Sequence, residues 1–275
     1  MTPAFHRRAP ALVAGLLLLA CAGRVGAQGT ADPLDTGSSV VAAYTFDSGA
    51  AKADPAVSVA PGRRAACDAV EAYVWSALPP AVRSRVSRLQ LFVVPRGVED
   101  ASDGTVTESE DGAGWTLSLD DGEAESAVRG GSESDRELFD EVVAHEAAHV
   151  LSLSRDQRSG GPAAGRYSDE EGPFSEGSYL NLFYQRFWKG RYPDWSPDAH
   201  RDQAAEVYDR HPDSFVTEYA ATDPSEDFAE SFAGFVLGRR STSQTERGAK
   251  IRFFYDFPEL VEDRDFMRSA FSRVP

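Results

Sequence analysis

The chain has 275 residues, of which 41% are hydrophobic and 11% aromatic, so it can bury a sizeable core and is not a disordered protein. Its 44 acidic residues outnumber its 28 Lys and Arg residues, which gives a formal net charge of -16. Because nucleic acid is polyanionic, a protein with this negative charge is not expected to bind it.

The N-terminal segment, residues 1–27, has the layout of a secretory signal peptide. Arginines precede a mostly apolar stretch from Ala9 to Cys21, and small residues up to Ala27 supply a cleavage site. The stretch is shorter than the roughly 20 residues of a membrane-spanning helix, so we expect its removal and a secreted or extracellular protein. The alternative is a lipid anchor to the cell envelope at Cys21, since residues 18–21 resemble a bacterial lipobox.

The mature chain divides into a predicted linker and a predicted domain. Residues 28–62 are rich in Ala, Ser, Asp and Gly and have no sustained period, which predicts a flexible linker. Whether this segment acts as a propeptide stays open. Residues 63–275 form the predicted domain, which begins with an amphipathic helix over 63–78 that buries Cys67 as a free structural thiol.

Two strands are predicted after this first helix. The segment "RLQLFVVPRG", residues 88–97, is rich in strand-forming residues and ends at Pro and Gly. The segment "GWTLSLDDG", residues 114–122, alternates apolar with small polar residues. Such alternation is typical of a half-buried strand, so we expect it at a sheet edge.

Helices dominate the rest of the chain. Acids in the first turn and apolar residues three or four apart predict a helix over 134–154, which is followed by a loop over 155–172. Further helices are predicted over 175–190 and 224–240, and one or two more over 249–271. Strands followed by helices predict an α+β fold.

The helix over 134–154 carries the sequence HEAAH. Because residues four apart lie on one helical face, His145 and His149 can offer ring nitrogens to one ion at about 2.0 to 2.1 Å. Glu146 is rotated by about 100° from His145, which suits a general base acting on zinc-activated water. The motif arises by chance in a chain of this composition with a probability of roughly 1%, which disfavours incidental buried histidines.

A catalytic zinc ion takes a third protein ligand, and several downstream residues are candidates. Glu206 is one of them. His200 lies in a polar stretch and His211 precedes Pro212, so both are expected to be surface histidines. Glu226 and Glu230 are four apart among phenylalanines, so two carboxylates on one apolar helical face need a cation or hydrogen-bond donors. Together they fit a zinc ligand and a carboxylate that orients a histidine ligand.

The sequence Y-x6-E-x-F-A-E-x-F, from Tyr219 to Phe232, together with HExxH resembles the catalytic domain of the anthrax lethal factor family, a gluzincin. The resemblance implies a zincin-like metallopeptidase: a small mixed sheet with an edge strand packed on the active-site helix, then a mostly helical C-terminal lobe. It implies that Glu226 is the third zinc ligand, that Glu230 supports the site from behind and that Tyr219 is catalytic and faces the reacting oxygen. Only a catalytic domain is matched, so the toxin biology of that family does not transfer.

The sequence therefore predicts an exported zinc metallopeptidase that hydrolyses a peptide or protein substrate, with one Zn²⁺ held by His145, His149 and Glu226. By analogy with zincins, the strand over 114–122 would bind the substrate by strand addition. One alternative is a non-catalytic zinc-containing surface or binding protein, against which an intact Glu146 argues. Another is a metal-dependent hydrolase of a non-peptide amide. The substrate preference and the oligomeric state stay open.

Overall fold

The structure of the chain is a computed structural model. It describes these residues: 37–47, 49–95, 103–109, 112, 114–192, 195, 201–238 and 241–272. The predicted signal peptide, with Cys21, lies outside the described residues, and so does His200. Among the helices in these ranges, none has the length and apolar character that crossing a bilayer demands.

Strands and helices alternate in the first half of the described chain, and helices dominate the second. The first half contains β1 (Ser39–Asp47), β2 (Ala50–Ala53), α1 (Arg64–Ala77), α2 (Pro80–Arg83), β3 (Val86–Val93), β4 (Gly104–Glu108), β5 (Trp115–Asp120), α3 (Asp121–Arg129) and α4 (Glu133–Leu153). The second contains β6 (Ser168–Asp169), β7 (Gly172–Pro173), α5 (Tyr179–Phe187), α6 (Arg201–Arg210), α7 (Pro224–Leu237), α8 (Glu246–Phe253) and α9 (Pro258–Phe271). The predicted α+β class with a helical C-terminal part is confirmed.

The main sheet is mixed and has the strand order β2-β1-β3-β5-β4. β3 and β5 run parallel, and the other neighbouring strands are antiparallel. The prediction that the strand over 114–122 lies at an edge is wrong, because β5 lies between β3 and β4. Its polar face is not exposed: Ser118 is buried and accepts a hydrogen bond of 2.9 Å from Gln90 Nε2. The edge strand on this side is β4.

The predicted flexible linker over residues 28–62 is also wrong in its described part. β1 pairs with β3, forms a hairpin with β2 and buries Ala42, Ala43 and Tyr44. The Tyr44 hydroxyl donates a hydrogen bond of 2.7 Å to Asp68 on α1. The sequence around β1 lacks a visible period because its order comes from a partner strand more than 40 residues away. The folded domain therefore includes residues before 63.

α4 is the central helix of the described molecule. A capping box begins it, since the Ser132 side chain accepts the Asp135 N–H and the Asp135 side chain accepts the Ser132 N–H. From Phe139 to Leu153 almost every side chain is buried. The burial follows from the packing of α4 against β4, α3 and α7. On α1, which packs against α3, Cys67 is free and buried, as predicted.

The C-terminal helices pack around phenylalanine rings. The ring of Phe183 on α5 lies 5.5 Å from that of Phe228 on α7 and 5.4 Å from that of Phe253 on α8. Next to them, Lys250 of α8 and Asp227 of α7 form a fully buried ion pair with an N to O distance of 2.6 Å. These contacts hold α7 in place against α5 and α8.

Candidate metal centre

The two histidines of the HEAAH sequence lie on successive turns of α4. Their side chains are almost completely buried, with exposed fractions of 1% for His145 and 2% for His149. The two Nε2 atoms are 3.0 Å apart, and the ring centroids are 4.7 Å apart. Both imidazoles therefore present the same nitrogen to one point, as the spacing of four residues predicts.

α7 brings a carboxylate to this point. Glu226 Oε2 lies 3.1 Å from His145 Nε2 and 3.3 Å from His149 Nε2. Glu226 occupies the first turn of α7, where the Asp223 side chain accepts its backbone N–H at 3.1 Å and caps the helix. The cap fixes the start of α7 and with it the place from which the Glu226 side chain projects. We refer to His145, His149 and Glu226 as the donor triad.

The donor triad fits a zinc ion. Each residue offers one ligand atom, and the three atoms lie within 4.8 Å of one another. Their separations are close to the roughly 3.3 Å edge of a tetrahedron with bonds of about 2.0 to 2.1 Å. Two imidazoles and one carboxylate are also a donor set of catalytic zinc sites, which leaves a fourth position for water.

The charges around the donor triad favour a cation. Burial alone would raise the pKa of Glu226, but the neighbouring imidazoles of His149 and His145 outweigh it and lower this pKa to about 2. Burial lowers the pKa of His145, yet its hydrogen bonds to Glu226 and Glu230 overcome that effect and raise the pKa well above its usual value. Two buried carboxylates thus contact one imidazole, and this concentration of negative charge favours a bound cation.

Glu230 lies one turn after Glu226 and touches the other side of His145. Its Oε1 is 2.7 Å from His145 Nδ1, which donates to it, and its Oε2 accepts a hydrogen bond of 2.7 Å from Thr217 Oγ1. The structure therefore places Glu230 behind the imidazole and outside the donor triad. Contacts of this kind fix the ring orientation of a metal-ligating histidine and leave its Nε2 for the ion.

Glu146 is buried beside the donor triad. Its Oε2 has no hydrogen-bond partner among the described residues. Burial raises the pKa of its carboxyl, although the nearby histidines oppose this rise. A raised pKa makes the carboxylate a stronger base than an exposed glutamate.

The backbone of β4 passes directly over Glu146. A Cβ atom at Gly104 would lie 2.7 Å from Val142 Cγ1 and 3.1 Å from Glu146 Oε1. Only a glycine lets the edge strand come this close to α4. The sequence analysis did not identify Gly104, and the glycine before the strand-like "TVTE" was the available signal.

Tyr219 begins a 3₁₀ turn, Tyr219–Ala221, just before α7. Its ring centroid lies 6.1 Å from that of His145. The Thr217 hydroxyl also holds this turn, because it accepts the Ala220 N–H at 3.1 Å. The structure thus brings Tyr219 to the donor triad. Thr217 was missed, and no spacing or motif marked it.

The other candidates for the third ligand do not join the site. Glu206 on α6 is 72% exposed and lies 3.9 Å from Arg210 in an ion pair along the helix. His211 packs against Tyr192, with ring centroids 5.3 Å apart, and is not part of the donor triad. Neither residue contributes a ligand, and His211, which was predicted to be a surface histidine, is half-buried.

Comparisons with known proteins give little further information. No protein-family model matches the chain, and no curated protein matches it. The chain is similar to a crystal structure from Bacteroides caccae described as a candidate zinc-binding metallo-peptidase, with 18% sequence identity and a TM-score of 0.35. The match covers 68% of this chain and 63% of that one, so the chain spans less than two thirds of that structure's length. At this identity and TM-score the similarity assigns no function, which has to follow from the geometry of the site.

Proposed function

We propose that the protein is a zinc-dependent metallopeptidase of the gluzincin type with a zincin-like fold. One observation carries the proposal: Glu226 Oε2 lies 3.1 and 3.3 Å from the Nε2 atoms of His145 and His149 in a buried site. These donors come from two helices far apart in the chain, so their convergence is a product of the whole fold. The motif resemblance to the lethal factor family supports the same roles for Glu226, Glu230 and Tyr219.

A bound zinc ion would activate a water molecule and polarise the carbonyl group of the scissile peptide bond. Glu146 then acts as the general base, because its unpartnered Oε2 can accept the proton of the attacking water. The same carboxyl returns the proton to the leaving amine. An intact base beside the donor triad argues against a purely structural site.

Two further residues have supporting roles in this proposal. Tyr219 donates a hydrogen bond to the developing oxyanion, and the loss of such a donor typically slows turnover by on the order of 10²-fold or more. Glu230 accepts the Nδ1–H of His145 and holds the ring so that Nε2 faces the ion.

The substrate backbone is proposed to bind along β4. No described strand pairs with the outer edge of β4, so an extended peptide can add there as another strand. The close approach of Gly104 to Glu146 would bring such a peptide beside the base. This strand replaces the one over 114–122 that the sequence analysis favoured.

Export of the protein is also a proposal and rests on the sequence of residues 1–27. Secretion after cleavage near Ala27 and lipid anchoring at Cys21 are the two routes. Mass spectrometry of the mature N-terminus distinguishes them, since only the second route leaves an acylated cysteine.

The central test combines metal content with cleavage of a random peptide library. We expect one zinc ion per wild-type chain and measurable cleavage. Glu146→Gln should retain the zinc ion and lose turnover, because it removes the base and no ligand. Glu137→Gln is the matched control, since Glu137 is an exposed glutamate on the same helix.

The outcomes of this test separate the alternatives. A wild-type chain that neither contains nor takes up zinc would refute the proposal. A chain that binds zinc and cleaves no peptide would support a zinc-containing binding protein. Cleavage that persists in Glu146→Gln would show either a contaminating peptidase or a wrong assignment of the base.

A further inference from the structure

The Thr217 hydroxyl lies behind the donor triad and makes two hydrogen bonds, one to Glu230 and one to the turn after Tyr219. It donates a hydrogen bond of 2.7 Å to Glu230 Oε2 and accepts one of 3.1 Å from the Ala220 N–H. A hydroxyl group has one hydrogen to donate and lone pairs to accept, so both bonds can exist at once. Valine has the same shape and can make neither.

One of these bonds leads to the metal ligand His145. Glu230 uses Oε1 to accept the His145 Nδ1–H at 2.7 Å and Oε2 to accept the Thr217 hydroxyl. Both oxygens of this carboxylate are therefore held, which restricts its rotation. Because Glu230 is only 3% exposed, water cannot easily replace the hydroxyl group.

The other bond leads to the turn that carries Tyr219. Ala220 follows Tyr219 in the 3₁₀ turn, so a hydrogen bond to its N–H fixes the turn. The Tyr219 ring lies 6.1 Å from the His145 ring. One hydroxyl group thus contacts both Glu230, which holds the metal ligand His145, and the turn of Tyr219, the residue proposed to stabilise the oxyanion.

We propose that Thr217 is a positioning residue that sets both zinc affinity, through Glu230 and His145, and turnover, through the turn of Tyr219. The inference rests on the proposed function, because it assumes that His145 binds zinc. It assigns a role to a residue that touches neither the ion nor the substrate.

Three variants isolate the hydroxyl group. Thr217→Val removes it at constant shape, Thr217→Ala removes it without adding volume, and Thr217→Ser keeps it. Thr222→Val is the matched control: its hydroxyl lies in the same segment, is buried and has no partner among the described residues. The zinc dissociation constant is measured by competition with a chromophoric chelator, and circular dichroism of the apoprotein checks the fold.

Thr217→Val should weaken zinc binding by about 10-fold, the lower end of the range for groups that support a ligating histidine. The zinc dissociation constants of Thr217→Ser and of Thr222→Val should both stay within about 2-fold of the wild-type value. At saturating zinc, Thr217→Val should still have a reduced kcat with little change in KM, because Tyr219 acts in the transition state. If Thr217→Val does not fold, Thr217→Ala decides by the same measurements.

Wild-type zinc affinity and kcat in the folded Val or Ala variant would overturn the inference and leave the proposed function intact. A loss that Thr217→Ser also shows would overturn it too, because the effect would then come from packing of the methyl group. Failure of the wild-type chain to bind zinc would instead refute the proposed function itself.

Discussion

Two glutamates one turn apart on α7 have different surroundings in the metal centre. Glu226 approaches the Nε2 atoms of both histidines, whereas Glu230 meets only Nδ1 of His145. Glu226→Ala should therefore largely empty the site. Glu230→Ala should bind zinc about 10 to 100-fold more weakly and retain a measurable fraction. Zinc content after dialysis against graded chelator measures both, and the reverse order would invalidate both assignments.

Asp140, on α4, gives the fold a pH dependence that a single substitution can test. It is buried and accepts a hydrogen bond from the Tyr73 hydroxyl. Burial raises its pKa to about 6, and the hydrogen bond opposes this rise only in part. The unfolded chain keeps a value of about 3.9, so between roughly pH 4 and 6 the folded state binds more protons. The free energy of unfolding consequently falls as the pH rises through this window.

Asp140→Asn removes the charge and keeps an acceptor for Tyr73. In apoprotein, we expect it to be more stable than the wild type at pH 8 by on the order of 1 to 3 kcal/mol and to lose this advantage near pH 4. Urea unfolding at both pH values measures the difference. A constant difference between the two proteins would show that Asp140 does not titrate in this range.

At the scale of single elements, the contact between β4 and α4 depends on one glycine. In Gly104→Ala the new methyl group would lie 2.7 Å from Val142 Cγ1, so either the strand or the side chains of Val142 and Glu146 have to shift. We expect a loss of about 1 to 3 kcal/mol in stability and a fall in kcat/KM with zinc retained. Peptide cleavage and zinc content measure the two effects separately.

Gly177→Ala is the control for this substitution, since a Cβ atom at Gly177 meets nothing within 4 Å. Unchanged cleavage in Gly104→Ala would argue against β4 as the strand on which the substrate binds. A loss of zinc in the same variant would show instead that the substitution displaces α4 and its metal-binding histidines.

The elements that sequence analysis found are those with strong local signals. α4 and α7 have helical spacing, capping residues and acids in the first turn, and these signals also placed His145, His149 and Glu226 correctly on their elements.

Other elements were missed because they have weak local signals. α3 is short and has Gly122 in its first turn. β4 was missed because five residues carry little periodicity and its order comes from pairing with β5. Contacts between distant segments, such as the one that Thr217 makes, have no local pattern.

At the scale of the whole molecule, the described domain includes β1. This strand pairs with β3 and contributes Ala42 and Tyr44 to the core. A chain that begins at residue 63 should therefore unfold at a lower temperature than one that begins at residue 37, or lose cooperative unfolding. Thermal unfolding followed by circular dichroism compares them. Equal melting temperatures would support the original prediction that residues 28–62 are a linker outside the folded domain.

The donor triad joins α4 to α7, so binding of the proposed zinc ion would be thermodynamically linked to the stability of the fold. A ligand that binds only the folded chain stabilises it by about 4 kcal/mol at a free concentration of about 1,000 times its dissociation constant. Since α4 packs against β4 and α7 packs against α5 and α8, the ion would stabilise both the sheet side and the helical C-terminal side of the described domain. Under the proposed function, depletion of free zinc would therefore lower the resistance of the protein to unfolding and to proteolysis as well as its turnover.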